Sequence, residues 1–598
     1  VDILPGEEPD ESMYRVTKAY LEYDESRRPP MEATTLPHVH ALPPRPDVTH
    51  PDSALLGVAK RMAYKPPPYC KHLRRRFRRF VKQWVRENLE PILESDALDF
   101  EEWLSETNYP DWRKKEIRDA YKSIEKDFDD KDVYGNNRYS EVKYFVKEEN
   151  YPEYKHHRGI WARVDEFKAI SGPFFRKIEE KLFKLPYFIK KIPKDKRPEY
   201  IQEMLFQEGM KYQTTDFTSF ESLFTTDMMD DCEFELYRYM ASKNPRAKWI
   251  CQVIFAVVAS DNHVTNKYFT LGVHAKRMSG EMNTSLGNGF SNLMFLLFAC
   301  KEYKIYLRGA VVEGDDGLTS QSKEIPPEYF KKMGLNVKMK TVESLSEASF
   351  CGIIFDPIEN INIRDPRVPL ATCTWVSRKY ATASEKKIRS LVRSKALSMI
   401  FEYPGCPILS KLGMKIFSLL EGYEIVNIGD SNYTKEVFEA YIVRYKTGEL
   451  PVKEIGQRTR ALMEKMFGIS LSTQYMIERS IEEMTLEYWD TEHVLNIMPD
   501  VWINNYNNYV YRIEDTHCNI NFRFDNLLVN QHKEKLFKLR KVSNTKSSIK
   551  KLLTYKEFIS HKKFLGKTLI ELLAAYKEYF RRYKDSQNRL FLNARPIT

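Results

Sequence analysis

The stretch Tyr306-Leu-Arg-Gly-Ala-Val-Val-Glu-Gly314-Asp315-Asp316-Gly317-Leu-Thr-Ser320 decides the fold. Short apolar runs flank an acidic tight turn, and Gly314 and Gly317 supply the backbone freedom such a turn needs. The segment therefore reads as a β-hairpin with two carboxylates at its tip. Adjacent carboxylates repel one another, and holding them together is tolerable chiefly when a hard cation sits between them and a substrate. The tip reads as a magnesium site, with a plain solvated turn as the alternative for the tripeptide alone. What lies around it decides between the two.

A chain of 598 residues, 42% hydrophobic and 30% charged, is a soluble globular protein with several domains or subdomains. Its longest apolar runs, 249–259 and 293–300, fall short of a membrane span. The net charge of +10 and pI near 8.8 are modest, but the basic residues are clustered, which points to a polyanionic partner. Eight cysteines are scattered without a C-x-x-C pair, which argues for free thiols in a reducing compartment and against a zinc site or disulfide framework. The chain begins at Val1 without a signal-peptide pattern, as expected of a processed product or a piece of a longer chain.

Residues 1–68 hold much of the proline, including Pro29-Pro30, Pro43-Pro44 and Pro66-Pro67-Pro68, which predicts an extended arm over the surface. Leu73, Phe77, Phe80, Val81, Trp84 and Val85 then recur at helical spacing. Eight basic residues from Lys71 to Arg86 fill most of the remaining circumference. Such a basic amphipathic helix suits RNA, an acidic membrane surface or plain solvent. Residues 87–142 read as short helices around Trp103, Trp112 and Tyr121. From Lys143 to Arg163, a short alternating stretch leads through a cation-studded loop into a returning strand. Arginine forks make paired hydrogen bonds to phosphate, so this is either the lining of a triphosphate path or a surface loop.

Thr214, Thr215 and the flanking aromatics predict a strand ending at Asp216, with a helical period following in Phe220, Leu223, Phe224 and Met228. Thr218-x-x-Glu221 also matches a capping box, a purely structural use for Glu221. Residues 232–270 read as mostly helix with a polar tip at Ser260-Asp-Asn-His263. In Lys276-Arg277-Met-Ser279-Gly280-Glu-Met-Asn-Thr284-Ser-Leu-Gly-Asn288, Gly280 permits a flexible loop, and the apolar run after Asn288 predicts a buried helix with Thr284 and Asn288 on one face. Burying these two side chains costs stability unless they find partners, either the local backbone or a sugar hydroxyl.

Taken in order, Asp216-x-x-x-x-Glu221, Ser279-Gly280-x-x-x-Thr284-x-x-x-Asn288 and Gly314-Asp315-Asp316 resemble motifs A, B and C of viral RNA-dependent RNA polymerases. The wording Arg277-Met-Ser-Gly-Glu-Met-Asn-Thr284 is similar to the positive-strand tombusvirus-like group. The resemblance extends to Phe145-Val-Lys147-Glu with residues 158–163 as motif F, Gly334-Leu-Asn-Val-Lys338 as motif D and Ser349-Phe350-Cys351-Gly352 as motif E. It implies an α/β (α+β) right-hand polymerase fold: an arm over 1–68, fingers over 69–205, palm over 206–231, a fingers insertion over 232–270, palm over 271–358, and a mainly helical thumb with a basic C-terminal region over 359–598. Amphipathic helices over 384–402, 407–422, 435–445 and 472–488 agree with a thumb, and the basic stretch 550–584 suits an RNA channel or a solvated face.

The resemblance implies template-directed transfer of nucleoside monophosphate from an NTP to an RNA 3′-hydroxyl. Asp216 and Asp315 would hold two Mg²⁺ ions, for which Mn²⁺ can substitute, with Asp316 a secondary or water-mediated ligand. Lys147, Lys155, Arg158 and Arg163 would neutralise the triphosphate, and Lys338 is a candidate general acid with Lys340 close by. Ser279, Gly280, Thr284 and Asn288 with Glu221 would recognise the ribose 2′-hydroxyl, although the family usually has Asp in place of Glu221. Implied partners are single-stranded RNA template, nascent RNA, NTPs and other viral replication proteins or host membranes reached through a partner. The implied location is membrane-associated replication complexes in the host cytoplasm. A reverse transcriptase would normally carry an aromatic-x-Asp-Asp turn and a bulky residue against the 2′-hydroxyl, which Gly314 and Asn288 oppose. A non-catalytic scaffold would be favoured by a missing metal carboxylate, and both are present.

Overall fold

The computed structural model describes residues 14–19, 32–44, 54, 57–58, 61–62, 66–125, 137–153, 158–380, 383–430 and 432–515. Lys155 and the basic stretch 550–584 lie outside them. The fold is mixed α/β, and the chain divides into two compact units. The first comprises 1–21, 54–147 and 156–362, and the second 22–53, 148–155 and 363–598.

The first unit is built on two sheets. One is a four-stranded antiparallel sheet in the order Val337–Val342, Lys211–Phe217, Asp316–Gln321, Leu307–Glu313. Successive side chains point to opposite faces, and 309–312 and 317–321 are buried without a break, as strands covered on both faces require. Val311 and Tyr212 pack with Ile201 and Leu205 of the helix Arg197–Leu205 on one face. Ala310 and Val312 join the large core around the helix Thr284–Glu302 on the other. That helix is buried almost continuously from Leu286 to Cys300, as its all-round apolar sequence predicts. Its outer side is covered by the helix Lys71–Asn88, whose Phe77 ring stands 5.5 Å from Phe295 and 5.3 Å from Phe298.

The other sheet has five strands in the order Tyr14–Ala19, Phe269–His274, Asp261–Thr265, Glu141–Val146, Gly159–Arg163. Only the Asp261–Thr265 and Glu141–Val146 strands pair in parallel. The expected hairpin between 143 and 163 is therefore present. Residues 232–270 are helical only as far as Val258, over Glu233–Ala241 and Pro245–Val258. The polar tip is instead a strand, and the reason is a buried asparagine. Asn262 points inward, where its Oδ1 accepts from Arg163 and its Nδ2 donates to Ala275 O at 2.9 Å, so a satisfied polar residue replaces the apolar one that marks a strand.

In the second unit, residues 32–44 are buried along their whole described length, so this part of the proline-rich segment is core and not a surface arm. Glu32–Ala33 pair with Val376–Ser377, and Leu42 N donates to Trp502 O at 3.0 Å. The remainder is chiefly helical: Glu385–Glu402, Leu409–Leu419, Asn432–Lys446, Gln457–Phe467, Leu471–Glu482 and Asp500–Asp515. The helix expected over 472–488 thus ends at Glu482. Arg460 and Glu478 form a buried ion pair at 2.8 Å, and Glu478 also accepts from Ile408 N. Among the described residues no helix is long and apolar enough to cross a membrane.

Candidate active site

Glu313 pairs with Asp316 across the hairpin, which leaves Gly314 and Asp315 as a two-residue loop. Gly314 has φ +61°, the positive value required at the first central position of a type II′ turn. Gly317 belongs to the strand and not to the turn. It faces Thr215, and a Cβ there would stand 2.8 Å from Thr215 Oγ1 and 3.0 Å from Leu296 Cδ1. Its missing side chain lets sheet and helix approach closely. The hairpin is held from outside by Arg197, 2.6 Å from Glu313 Oε2, and by the buried Asn292, whose Nδ2 donates to Gly314 O at 3.3 Å.

The adjacent strand brings Asp216 to the same end of the sheet, opposite Lys338, while Lys340 faces Thr214. Both lysines are exposed and lie on the Asp216 face. The carboxylates sense one another. Burial pushes Asp316 up to about 6, the charges of Asp216 and Glu313 add to the rise, and a hydrogen bond from the Cys351 thiol and the Arg158 guanidinium oppose it. Burial pushes Asp315 up to about 7, Glu221 and Asp316 push in the same direction, and Arg158 again pulls back. Asp216, Glu221 and Arg158 thus lie close enough for their charges to be felt at Asp315 or Asp316.

The loop before the helix Thr284–Glu302 is fastened on two sides. Ser279 Oγ donates to Gly159 O at 2.9 Å and Gly280 N to Trp161 O at 3.1 Å. A Cβ on Gly280 would lie 2.7 Å from Trp161 O, so this glycine serves close approach and not loop flexibility. On the other side Arg277 N donates to Glu221 O, Lys276 N to Phe224 O and Lys276 Nζ to Ser222 O. Thr284 Oγ1 bonds the local backbone, at 3.0 Å to Met278 O and 2.9 Å to Glu281 O. Asn288 differs. Its side chain is buried, and its Oδ1 has no partner among the described residues. An orphaned buried acceptor costs about 1–3 kcal/mol, which a ligand donor would recover. The capping box at Glu221 does not form, because Ser219, at φ +50°, takes the cap position without a side-chain bond.

Among the cations, Lys147 N donates to Arg158 O at 2.9 Å across the neck of the 143–163 hairpin, and Arg158 is exposed. Arg163 is not available to a triphosphate. It is buried, with its guanidinium on Glu281 at 2.5 Å, Asn262 Oδ1 at 2.8 Å and Tyr139 O at 3.1 Å. Glu281 lies far away in sequence, so the strand pattern alone carries no sign of this pairing.

Residues 231–489 match the family described as viral RNA dependent RNA polymerase. Over that stretch the chain is similar to viral RNA-dependent RNA polymerases. A comparison with curated proteins gave no match. The match spans less than half of the chain, covers Ser279 to Asn288, the Asp315 hairpin, Lys338 and Cys351, and begins after Asp216 and Glu221. It supports RNA-directed RNA polymerase activity, and an enzyme of that class would bind RNA and NTPs.

Asn292 and Arg197 escaped the sequence, and Cys351 entered it only as part of the motif E resemblance, without a contact to the carboxylates. Asn292 lies four positions after Asn288 on the same helical face, a spacing that could have flagged it. Cys351, with φ +53°, and Gly352, with φ +72°, form a tight turn between Phe350 and Ile353. The thiol stands 3.7 Å from Glu313 Oε2, and burial together with the Glu313 and Asp316 charges pushes it well above the usual range. Arg197 had no local signal.

Proposed function

We propose that this polymerase replicates a viral RNA genome, adding nucleoside monophosphates from NTPs to an RNA 3′-hydroxyl, and that it belongs with the positive-strand tombusvirus-like group. The supporting observation is the convergence of Asp216, Glu221, Asp315, Asp316 and Arg158 at one end of the four-stranded sheet. On this reading that sheet is the palm, the five-stranded sheet belongs to the fingers and the helical second unit is the thumb.

Among the described residues no three acidic, histidine or cysteine side chains form a ready ligand set. The donor chemistry nevertheless fits a hard divalent cation: the carboxylates are oxygen donors, and burial first, with the neighbouring carboxylate charges adding, raises Asp315 and Asp316. Asp216 and Asp315 would hold two Mg²⁺ or Mn²⁺ ions, with Asp316 secondary. When bound, such ions make the 3′-hydroxyl a better nucleophile and stabilise the leaving pyrophosphate.

The chain's own residues supply the rest. Lys147 and Arg158 balance the triphosphate charge, and Lys155, between them in sequence, is assigned with them. Lys338, directly across the ladder from Asp216, is better located than Lys340 to give a proton to pyrophosphate. Asn288 Oδ1 accepts from the ribose 2′-hydroxyl, and Glu221 is assigned to the same sugar pocket. Ser279, Gly280 and Thr284 act through the backbone, holding the loop that presents Asn288. The same reading assigns the enzyme to membrane-associated complexes of the host cytoplasm, attached through other viral proteins.

The test is incorporation of labelled nucleotides on single-stranded RNA, with Mg²⁺ or EDTA, comparing NTPs with dNTPs. Metal-dependent NTP incorporation is expected, lost in Asp216→Ala, with NTP preference narrowed in Asn288→Ala. Full activity of Asp216→Ala would refute the carboxylate assignment, and unchanged sugar preference in Asn288→Ala would refute the pocket.

A further inference from the structure

The helix Lys71–Asn88 carries more positive charge than its packing consumes. Arg74 pairs with Asp227 and Asp231, Arg76 with Glu302, and Arg78 with Asp230 and Glu235, while Lys82 stands 3.7 Å from Glu235. These cations bind the helix to its own protein. Lys71, Arg75, Arg79 and Arg86 are exposed and, among the described residues, have no acidic partner.

At 3.6 residues per turn these four fall within about 80° of the circumference, on the side away from the buried Leu73, Phe77 and Trp84. At a rise of 1.5 Å per residue, Lys71, Arg75 and Arg79 follow one another at steps of about 6 Å, and the stripe to Arg86 is about 22 Å long. That step is comparable to the separation of successive phosphates along a nucleic-acid strand. Three of the four cations are arginines, whose forks suit phosphate. A membrane-surface helix needs an apolar face free to enter the lipid. Here that face is occupied by Phe295 and Phe298, and the outward neighbours His72, Gln83 and Glu87 are polar.

We propose that this stripe is a second RNA-binding surface, which grips the phosphates of single-stranded RNA away from the reacting carboxylates. The helix Thr284–Glu302 separates the two places. Its Phe295 and Phe298 meet the basic helix, whereas Asn292 and Leu296 meet the Asp315 hairpin. The choice of RNA as occupant rests on the polymerase reading; the geometry of the stripe does not.

The experiment replaces Lys71, Arg75, Arg79 and Arg86 by Gln in the full chain. Affinity is measured against salt for a long single-stranded RNA and for an oligonucleotide just long enough to fill the substrate site. Loss of about 0.7 per phosphate contact predicts that the slope of log K against log salt for long RNA becomes shallower by about 3. Binding of the short oligonucleotide and the rate of single-nucleotide addition on it are expected to stay as in the wild type. An unchanged slope and affinity for long RNA would overturn the proposal. So would a variant that keeps RNA binding but loses binding to phosphatidylserine vesicles, since the stripe would then serve lipid. The binding arm needs no catalysis, so it decides the matter even for an enzyme inactive on the chosen template.

Discussion

Gly287→Ala tests the buried pair that fastens the loop carrying Ser279 and Gly280. Arg277 and Glu233 have side chains 1% and 2% exposed, and their charges meet at 2.5 Å. The guanidinium also lies 4.0 Å from the Phe224 ring centroid. A Cβ on Gly287 would collide with Arg277 Nη1 and stand 2.7 Å from Glu233 Oε2. Both atoms end flexible side chains, but neither chain can withdraw into solvent without parting the pair. Two effects oppose each other. Alanine in a helix interior is better than glycine by about 1 kcal/mol, whereas breaking a buried ion pair costs about 3–5 kcal/mol. The second wins, and a net loss of about 2–4 kcal/mol is expected. Burial already raises Glu233, and Arg277 is the main influence pulling it back, so the parted carboxylate would take up a proton. Urea unfolding of wild type and variant measures the loss as a change in midpoint at constant m-value. Gly289→Ala on the same helix is the control, because the nearest atom to its Cβ would be Phe188 Cε1 at 3.3 Å. A Gly287→Ala protein as stable as the wild type, or more stable by the alanine gain, would refute the reasoning.

In Gly317→Ala the new methyl is wedged between Thr215 Oγ1 and Leu296 Cδ1, which shifts the hairpin carrying Asp315. The rate of nucleotide addition should fall about 10–100-fold with RNA affinity retained, and an unaltered rate would show that the hairpin tolerates displacement. In the second unit, burial holds His38 down to about 4. Leu36 O can only accept, so Nδ1 carries the proton and Tyr506 OH donates to Nε2 at 2.8 Å. The unfolded chain takes up a proton below about pH 6.5 that the folded chain refuses until about pH 4. Stability is therefore full above that window and falls as the pH drops through it, by up to about 3 kcal/mol. His38→Phe should flatten this part of the stability profile, and an unchanged slope would assign it to other groups.

What was legible in the sequence is what depends on neighbours in sequence. The Asp315 hairpin, the strand reaching Asp216 and the helix after Thr284 each follow from short-range periodicity and turn chemistry, and all are present. The errors lie where long-range pairing overrides the local pattern. Ser260-Asp-Asn-His263 looked like a polar tip because Asn262, whose bonds go to Arg163 and Ala275, gives no apolar mark. Residues 32–44 looked like a surface arm because proline excludes helix, but nothing local says that His38 and His40 will pack among Trp375 and Tyr506.

The candidate site divides along the same line. Groups expected to meet substrate are constrained by chemistry, which demands a carboxylate or an amide at a fixed spacing, so Asp216, Asp315, Asp316 and Asn288 stand out from the sequence. Groups that hold them in place need only a complementary partner somewhere in the fold. Arg163 illustrates the ambiguity, since an arginine beside a cationic loop suits a phosphate and a distant buried glutamate equally well. The deciding quantity is burial, which no spacing encodes. Once Glu281 is inside, leaving it unpaired would cost several kcal/mol, and the inward-pointing Arg163 supplies the opposite charge. Asn292 and Cys351 follow the same logic. Their polar atoms are brought to Gly314 O and Asp316 by the packing of helix and turn against the sheet, so their roles depend on the tertiary fold that the motifs only imply.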